Sequence, residues 1–515
     1  MASKRLATTA TAALLSTLGT IGTVACSASN GAGVPPASSA RPGTSAVSPA
    51  SPASPARPDA SAVSPLTPVA SASDIAAGRE AVPGSPGIGD PDFPTDGNGG
   101  YDVGHYGLKL GYNPASRHLS GVARISARAT QNLASFNLDL SGLTVSRITV
   151  NGRSARFDRT GTELSVTPAA SIPNASAFTV EVAYAGRPEP VRGSSNLGTY
   201  GFIPTEDGAF VTCQPNGAKT WFPGNDHPSD KASYDFEITV PAGLTALANG
   251  ELVGTPRTSG GKTTFRWRES HPMASYLATM TLGKFEMLQG RTAGGLKNIA
   301  AVDPKFRGSL RKVYDVSGRV TDYWSTIFGP YPFSSTGGVV DDFPAGYALE
   351  NQTKPMYGGF APDDAIIAHE LAHQWFGDSL SITRWKDLWL NEGFATYAEW
   401  LWSEHDGQAT AEQLFRRHYS AGADDPIWSY APGQARPEDL FNNSVYTRGG
   451  MTLHALRQRI GDPAFFRLLK EWSTTHKYGN VTTPEFVAMA EKISGKKLGA
   501  LFDAWLFTTK KPTTW

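Results

Sequence analysis

The stretch that most restricts the fold of this chain is HELAH at residues 369–373. On an α-helix, residues four apart lie on nearly the same face, about 6 Å apart along the axis. His369 and His373 can therefore direct two imidazoles at one metal ion. Glu370 projects about 100° away from His369, so it can reach a water on that ion without being a ligand. The pattern predicts a helix that carries part of a metal site and needs a further ligand from elsewhere in the fold.

A candidate for that ligand follows 18 residues after His373. Glu392 lies in LWLNEGFATYAEW, which has the pattern of a second helix. Two histidines, one carboxylate and an open position for water are the ligand set of catalytic zinc, although cobalt or manganese could substitute. HExxH alone arises by chance in about one such chain in a hundred, and the second helix argues against chance. Glu399 lies on a similar face, either as a partner of a ligand or as a solvated residue.

The region before this motif has the patterning of β-sheet. From Tyr101 to about residue 290, apolar and polar residues alternate in short runs such as HYGLKLGYN, AFTVEVAYAG and YDFEITVP, which are bounded by Gly, Asn, Pro or Ser. Period-two patterning with a turn signal roughly every 8 to 15 residues is typical of antiparallel sheet. Residues 96–290 are therefore predicted to form an antiparallel β-rich domain, saddle-like or sandwich-like in shape.

Helical spacing replaces this pattern after about residue 305, in segments such as LRKVYDVSGRVTDYWSTIFG and PAFFRLLKEWSTTH. The segment DDAIIAHELAHQWFG predicts a helix that is capped by Asp363 and Asp364 and ends at Gly377. Residues 291–515 are predicted to form a mainly helical domain, so the fold class is multidomain α+β.

The N-terminus has the features of an export signal. Lys4 and Arg5 precede a mostly apolar stretch, and residues 1–25 are predicted to be a signal peptide. Cleavage after this stretch would leave Cys26 as the first residue, as in lipidated bacterial proteins, although Thr23 departs from the residue usual there. Ordinary secretion is the alternative. The chain is expected to be exported, either extracellular or at the cell surface, with a membrane tether if Cys26 is lipidated.

Residues 26–95 are dominated by Ala, Ser, Pro and Gly and are predicted to form a disordered linker. The only cysteines are Cys26 and Cys213, so loss or lipidation of the first excludes an intramolecular disulfide and leaves Cys213 as a small core residue. Lys plus Arg equals Asp plus Glu at 46 each, which argues against a nucleic-acid partner bound by phosphate neutralisation.

Taken together, these motifs resemble peptidase family M1, the gluzincin aminopeptidases. HELAH with NEGFA at the x18 spacing resembles the family's metal motif, and GYALENQT at 346–353 resembles its G-x-M-E-N motif. VYTRGG at 445–450 resembles the Y-x-K-G segment, and TCQPNGAKTWFPGNDHPSD resembles the region around F-P-x-x-D-x-P. The similarity spans roughly residues 100–515 and implies a thermolysin-like catalytic domain.

Three positions depart from the family pattern. Leu349 replaces a Met, Arg448 replaces a Lys, and His227 replaces an acidic residue. The chain also ends soon after the catalytic region, so it is expected to be a short form without the large C-terminal helical domain of longer members.

The resemblance implies an aminopeptidase that acts on peptides with a free N-terminus. One zinc ion per chain would be held by His369, His373 and Glu392. Glu370 would act as the general base, and Tyr446 would stabilise the oxyanion. The substrate would be bound by four residues: Glu350, Gln214, Gly346 and Ala348.

Other functions remain open at this point. A thermolysin-type zinc endopeptidase shares the metal motif but has no use for an anion such as Glu350. An epoxide-opening hydrolase occurs in one branch of the family. A non-catalytic surface-binding protein predicts loss of Glu370 or Tyr446, and both are present. A monomer is expected.

Overall fold

The computed structural model describes residues 80–193 and 198–513. The predicted signal peptide and residues 26–79 of the predicted linker lie outside the described residues. Within the described ranges, none of the helices combines the length and the apolar character that crossing a membrane requires.

The first part of the chain is built almost entirely of strands. In chain order, they are β1 (Val82–Pro83), β2 (Tyr101–Asn113), β3 (His118–Ala129), β4 (Leu133–Asp139), β5 (Thr144–Val150), β6 (Arg153–Ser154), β7 (Arg156–Thr160), β8 (Glu163–Thr167), β9 (Ala177–Gly186), β10 (Val191–Arg192), β11 (Thr199–Pro204), β12 (Ala209–Thr212), β13 (Lys231–Pro241), β14 (Thr245–Ala248), β15 (Glu251–Leu252), β16 (Arg257–Ser259), β17 (Lys262–Ala274) and β18 (Met280–Gly283).

These strands form three sheets. The largest has the order β15-β17-β13-β2-β3-β9-β5-β6, with β16 pairing with β17. A second has the order β1-β4-β8-β7, and a third has the order β10-β11-β12-β18-β14. Along β2, Tyr106, Leu108 and Leu110 are buried, and most residues between them are more exposed, as the alternation in the sequence predicts. The predicted β-rich fold is confirmed, except that β2 pairs with β13, and β1 with β4, in parallel.

The folded region begins earlier than the sequence predicts, because residues 80–95 pack against both halves of the molecule. Asp90 is buried and accepts hydrogen bonds from the His227 ring and from the backbone N–H of Trp385. The glycines here form tight turns. Gly87 has a φ of 78°, and a β-carbon there would lie 2.0 Å from the carbonyl oxygen of Pro94. A composition rich in Gly and Pro therefore reflects close backbone packing in this stretch.

The second part of the chain begins with a five-stranded sheet, and only the first strand of this sheet overlaps the region predicted to be β-rich. Its strands are β19 (Glu286–Arg291), β20 (Lys297–Val302), β21 (Ser335–Asp341), β22 (Ala348–Leu349) and β23 (Met356–Gly358), in the order β19-β20-β21-β23-β22. The pairs β20–β21 and β21–β23 are parallel. Every residue of β21 is buried, so its sequence STGGVVD shows no alternation. A short parallel pair, β24 (Ser381–Ile382) and β25 (Asn480–Val481), follows.

Helices dominate the remainder, as predicted. They are α1 (Leu310–Ile327), α2 (Asp364–Ala372), α3 (Trp389–His405), α4 (Ala411–Tyr419), α5 (Gly449–Ile460), α6 (Asp462–Thr475), α7 (Thr483–Ser494) and α8 (Gly499–Phe502). Helix α1 packs on β20 and β21, α2 packs between α1 and α3, and α5 packs on α3. Helix α2 starts where predicted, because the Asp363 side chain accepts a hydrogen bond from the N–H of Ile366 at 2.9 Å. It ends at Ala372, before the predicted Gly377.

Candidate active site

The two histidines of HELAH and the glutamate of α3 meet inside the molecule. His369, His373 and Glu392 are each at most 3% exposed. The Glu392 Oε2 atom lies 3.4 Å from His369 Nε2 and 3.3 Å from His373 Nε2. One potential ligand atom from each residue lies within 4.8 Å of the other two. The packing of α2 against α3 therefore brings the three predicted ligands together.

Hydrogen bonds to the outer ring nitrogens orient both imidazoles. His369 Nδ1 lies 2.6 Å from Glu399 Oε1, and His373 Nδ1 lies 3.1 Å from the carbonyl oxygen of Phe376. A proton held on each Nδ1 by these partners leaves Nε2 as the atom that can give up its proton to bind a metal. Of the two interpretations of Glu399, the structure supports the partner of a ligand.

The separation of these atoms fits zinc. Nitrogen and oxygen ligands lie about 2.0–2.1 Å from tetrahedral zinc, so two such ligands are about 3.3–3.4 Å apart. The measured 3.3 and 3.4 Å match that value. Two neutral imidazoles and one carboxylate are also the donor types that zinc prefers over magnesium or calcium.

The charged forms of Glu392 and His373 stabilise each other. Burial alone would raise the pKa of Glu392, but the charge of His373 and hydrogen bonds from both imidazoles hold it at about 2. Burial alone would lower the pKa of His373, but the Glu392 charge raises it to about 9. The carboxylate is therefore ionised and His373 is protonated at neutral pH, so a metal ion bound here would replace the imidazole proton and leave the ring neutral.

A cavity of about 550 Å³, which includes space open to solvent, lies over these three residues. It is lined by residues from both parts of the chain: Tyr200, Thr212, Gln214, Tyr347, Ala348, Leu349, Glu350, His369, Glu370, His373, Glu392, Phe441 and Tyr446. All the predicted site residues except Gly346 are among them. Gly346 lies two residues before Ala348, on the exposed approach to β22, with a φ of 74°. Three aromatic residues of the lining, Tyr200, Tyr347 and Phe441, were not predicted. Tyr200 and Phe441 lie outside the motifs, and Tyr347 lies within GYALENQT at a position where the G-x-M-E-N pattern specifies no aromatic residue.

Glu350 lines the cavity and lies directly after β22. Its Oε1 atom accepts hydrogen bonds from Gln214 Nε2 and from the Tyr276 hydroxyl, both at 3.2 Å. Its backbone oxygen accepts from Gln374 Nε2 at 3.0 Å. Burial raises the pKa of Glu350, as does the Glu392 charge, while the charge of His373 lowers it. The site thus contains a buried carboxyl group whose ionised form would gain from a cation in the cavity.

Glu370 and Tyr446 both face the cavity. Glu370 lies between the two histidines on α2, and burial raises its pKa to about 8, although the two imidazoles act to lower it. An oxygen of Glu370, an oxygen of Glu350 and a nitrogen of His373 lie within 4.8 Å of one another. Tyr446 lies in the middle of a π-helical turn, Ser444–Arg448, and its ring stacks at 6.2 Å from the ring of His369.

The departures from the family pattern have different locations. Leu349 lines the cavity, whereas His227 and Arg448 do not. His227 bridges Asp90 and Ser229, with its Nε2 3.3 Å from Asp90 Oδ2 and its Nδ1 2.7 Å from Ser229 Oγ. Cys213 is fully buried, as predicted, and accepts a hydrogen bond from the Trp221 indole at 3.4 Å.

Two curated relatives illustrate the sequence similarity. Probable aminopeptidase 2 of Sulfurisphaera tokodaii is 29% identical over 315 residues, which is 56% of this chain and 40% of the relative. Leukotriene A-4 hydrolase of Xenopus laevis is 26% identical over 448 residues, which is 80% of this chain and 72% of the relative. This chain thus spans less than half of the first relative's length.

Solved structures are similar over more of the chain. The M1 zinc metallopeptidase from Deinococcus radiodurans has a TM-score of 0.75 at 28% identity, over 83% of this chain and 99% of that one. A mutant of the same enzyme bound to the peptide Tyr-Ser-Ala has a TM-score of 0.73 at 28% identity, over 82% and 97%.

Two family models of one peptidase family match the two parts of the chain. The Peptidase M1 N-terminal domain matches residues 103–277, and the Peptidase family M1 domain matches residues 363–505. The second range contains all three candidate zinc ligands, and the first contains Gln214. These matches agree with the order of the β-rich and helical parts and with the likeness to solved M1 structures. The chain belongs to peptidase family M1.

Proposed function

We propose that the chain is a zinc aminopeptidase that removes single residues from the free N-terminus of peptides. The observation that carries this proposal is the position of Glu350. Its carboxyl group lines the cavity, and one of its oxygens lies within 4.8 Å of an oxygen of the general-base candidate Glu370 and of a nitrogen of the ligand His373. A peptide ammonium bound there leaves room for only one residue before the scissile bond. An endopeptidase has no ammonium to bind at this point.

The chemistry divides among a few groups. When bound by His369, His373 and Glu392, zinc supplies Lewis-acid activation of water and of the scissile carbonyl. Glu370, whose ionised form a cation held by these ligands would favour, takes a proton from the attacking water and later delivers it to the leaving amine. The Tyr446 hydroxyl donates a hydrogen bond to the oxyanion that develops on the former carbonyl, worth about 3 kcal/mol.

Glu350 and Gln214 together form an anchor for the N-terminus of the substrate. Glu350 forms an ion pair with the ammonium, and the Gln214 side-chain oxygen, whose amide nitrogen is already bonded to Glu350, can accept from the same ammonium. An ion pair formed in a buried cavity is stronger than one in water, so the anchor favours charged N-termini over blocked ones.

The names of several similar proteins support the proposal. The Sulfurisphaera protein is named a probable aminopeptidase, and the Deinococcus enzyme is a zinc metallopeptidase that was crystallised with a peptide. The Xenopus relative is a hydrolase of leukotriene A-4.

The test is hydrolysis of one peptide with its N-terminus free and then acetylated, by the full chain and by Glu350→Gln. We expect chelator-sensitive cleavage of the free peptide only, and a loss of kcat/KM of about 100-fold or more in the variant. Equal cleavage of both peptides by the unaltered chain would overturn the anchoring role and favour an endopeptidase.

We also propose that the chain is exported, either to the extracellular space or to the cell surface through lipidation of Cys26, and that it acts as a monomer. The support is the basic, then apolar N-terminus that ends before Cys26. Mass spectrometry of the mature N-terminus tests this point, together with fractionation of the wild type and of Cys26→Ala. A diacylated Cys26 and release of the variant from membranes are expected, and an unmodified N-terminus would contradict the tether.

A further inference from the structure

Arg448 is a buried cation at the end of the turn that carries Tyr446. The turn is π-helical, spans Ser444–Arg448 and leads directly into α5. Arg448 is 0% exposed, and burial lowers its pKa to about 10, which leaves it charged at neutral pH. Its side chain does not line the cavity. A buried charge outside the site requires compensation, so its partners indicate what it holds in place.

The partners of Arg448 are backbone carbonyl groups. Its Nη1 donates to the oxygens of Trp428 and Tyr430, both at 3.1 Å. Its Nη2 donates to the oxygens of Ala504 at 3.0 Å and Thr508 at 2.9 Å, with a longer contact of 3.3 Å to Lys510. Among the residues that the structure describes, no carboxylate forms an ion pair with this guanidinium. The guanidinium carbon lies 5.7 Å from the centre of the Trp428 ring.

These bonds connect three separate segments: the Tyr446 turn, the loop at residues 427–430, and the C-terminal segment 504–510. The start of the turn is tied to the same loop, because Ser444 Oγ donates to the carbonyl oxygen of Ile427 at 2.8 Å. Tyr446 therefore lies between two attachments, one at residue 444 and one at residue 448. The C-terminal segment is held in turn, since Lys511 Nζ donates to the carbonyl oxygen of Ala421 at 2.9 Å.

We propose that Arg448 is a positioning residue for Tyr446, which makes the C-terminal segment 504–510 a structural support of the active site. The proposal rests on the proposed function, in which the Tyr446 hydroxyl meets the oxyanion. A planar guanidinium presents donors in a fixed fork and can hold carbonyls on two sides at once. A lysine has three donors on one nitrogen and a flexible stem, so it cannot hold the 428–430 loop and the 504–510 segment in the same geometry.

The test is a double-mutant cycle between Arg448→Lys and Tyr446→Phe, with kcat and KM measured for a free peptide. In the wild-type background, Arg448→Lys is expected to lower kcat by about 10- to 100-fold with KM changed less than about 3-fold, as misplacement of one catalytic group does. In the Tyr446→Phe background the same change is expected to lower kcat by less than about 2-fold, because the group that it positions is gone.

Arg457→Lys is the matched control. Arg457 lies on α5, is also mostly buried, and pairs with the Asp462 carboxylate at 2.8 Å, away from the turn. Its substitution is expected to leave kcat unchanged. If Arg448→Lys does not fold, Ser444→Ala replaces it in the double-mutant cycle with Tyr446→Phe. This substitution removes only the hydrogen bond to the Ile427 carbonyl oxygen.

The outcomes separate this proposal from the proposed function. Equal losses of kcat in both backgrounds would overturn the positioning role, because the substitution would then act without Tyr446. Failure of the wild-type chain to cleave the peptide would instead overturn the proposed function. Hydrogen exchange of the amides at 444–448 decides the positioning role in that case. Faster exchange in Arg448→Lys than in Arg457→Lys supports it, and equal exchange overturns it.

Discussion

Gly393 and Gly449 bring the backbones of α3 and α5 into direct contact beside the active site. A β-carbon at Gly393 would lie 2.9 Å from the Cα and carbonyl carbon of Gly449, and one at Gly449 would lie 2.8 Å from the Cα of Gly393. Gly393 follows the ligand Glu392, and Gly449 follows the turn that carries Tyr446. The close approach therefore sets the distance between the metal ligands on one helix and the oxyanion side of the site on the other.

Replacing Gly393 with Ala is expected to destabilise the protein and lower its activity. Alanine is better than glycine inside a helix by about 1 kcal/mol. Overpacking against backbone opposes this gain and costs about 1–3 kcal/mol, because backbone cannot rotate away as a flexible side chain can. We expect a lower melting temperature and a lower kcat with little loss of zinc.

Gly499→Ala is the control for this substitution. A β-carbon at position 499 would meet no other part of the described chain within 4 Å, so α8 should tolerate it. Unchanged stability and kcat in Gly393→Ala would show that the two helices can separate freely.

Replacing Glu370 with Gln should remove catalysis and keep the metal. Glu370 faces the cavity beside the ligands, and the separations that fit zinc involve His369, His373 and Glu392. A neutral amide cannot accept a proton from water, so kcat should fall by about 10²- to 10⁴-fold. Zinc content, measured by metal analysis after dialysis, should remain near one per chain, whereas His373→Ala should lose the metal. Loss of zinc from Glu370→Gln would show that Glu370 is a ligand.

The walls beside the Glu350 anchor predict a preference for large neutral first residues. The hydroxyl of Tyr200 donates to Asn216 Oδ1 at 3.0 Å, and that of Tyr347 donates to the carbonyl oxygen of Thr199 at 2.7 Å. Thr212 Oγ1 lies 2.8 Å from the Tyr347 hydroxyl. Because these hydroxyls bond to the protein, the rings offer mainly apolar surface to a substrate side chain.

Charge adds to this preference, because the charged groups that line the cavity are the carboxylates and imidazoles of the site itself. A first-residue carboxylate would be repelled by the carboxylates of the site, and no Lys or Arg among the described residues lines the cavity to offset this repulsion. We expect kcat/KM for a Phe amide to exceed that for a Glu amide by about 10-fold or more. Thr212→Arg should narrow the ratio, while Thr212→Val should preserve it. Equal values of kcat/KM for the two amides in the wild type would contradict the predicted preference for large neutral first residues.

Helix geometry could predict only those site residues that are close in sequence, and Gln214, Glu350 and Tyr446 were predicted from the resemblance of their motifs. His369 and His373 are four residues apart on one helix, so their shared face follows from helix geometry. By contrast, Tyr276 donates a hydrogen bond to Glu350, which is 74 residues away in the sequence. No recognisable motif marks the segment around Tyr276. The role of Glu399 was ambiguous for a similar reason, since helical spacing places it on the right face without showing what it faces.

The fold was predictable where one face of a strand is solvated, and less so elsewhere. Strand β2 alternates in burial and was identified, whereas the fully buried β21 has no alternation and was missed. The π-helical turn at Ser444–Arg448 has no propensity signature in its sequence, so the two attachments of Tyr446 could be found only from the structure.

The buried carboxyl group of Asp230 predicts how stability depends on pH. It is fully buried, and burial raises its pKa to about 8, partly opposed by hydrogen bonds from the Val103 N–H and the Asn225 side chain. In the unfolded chain the pKa is near 3.9. Between these two values the folded state keeps a proton that the unfolded state has lost, so the free energy of unfolding falls as pH rises, by up to about 1.4 kcal/mol per unit.

Asp230→Asn removes this titration and keeps an oxygen that can accept both hydrogen bonds. Relative to the wild type, the variant should gain about 2–3 kcal/mol between pH 5 and pH 7, measured by urea denaturation. Glu237→Gln is the control, because a hydrogen bond from Arg266 lowers the pKa of Glu237. Between pH 5 and pH 7, the Glu237 carboxylate is ionised in the folded state and mostly ionised in the unfolded state. Glu237→Gln should therefore change the free energy of unfolding by nearly the same amount at pH 5 and at pH 7. Parallel pH profiles for Asp230→Asn and the wild type would mean that Asp230 is already ionised in the folded protein.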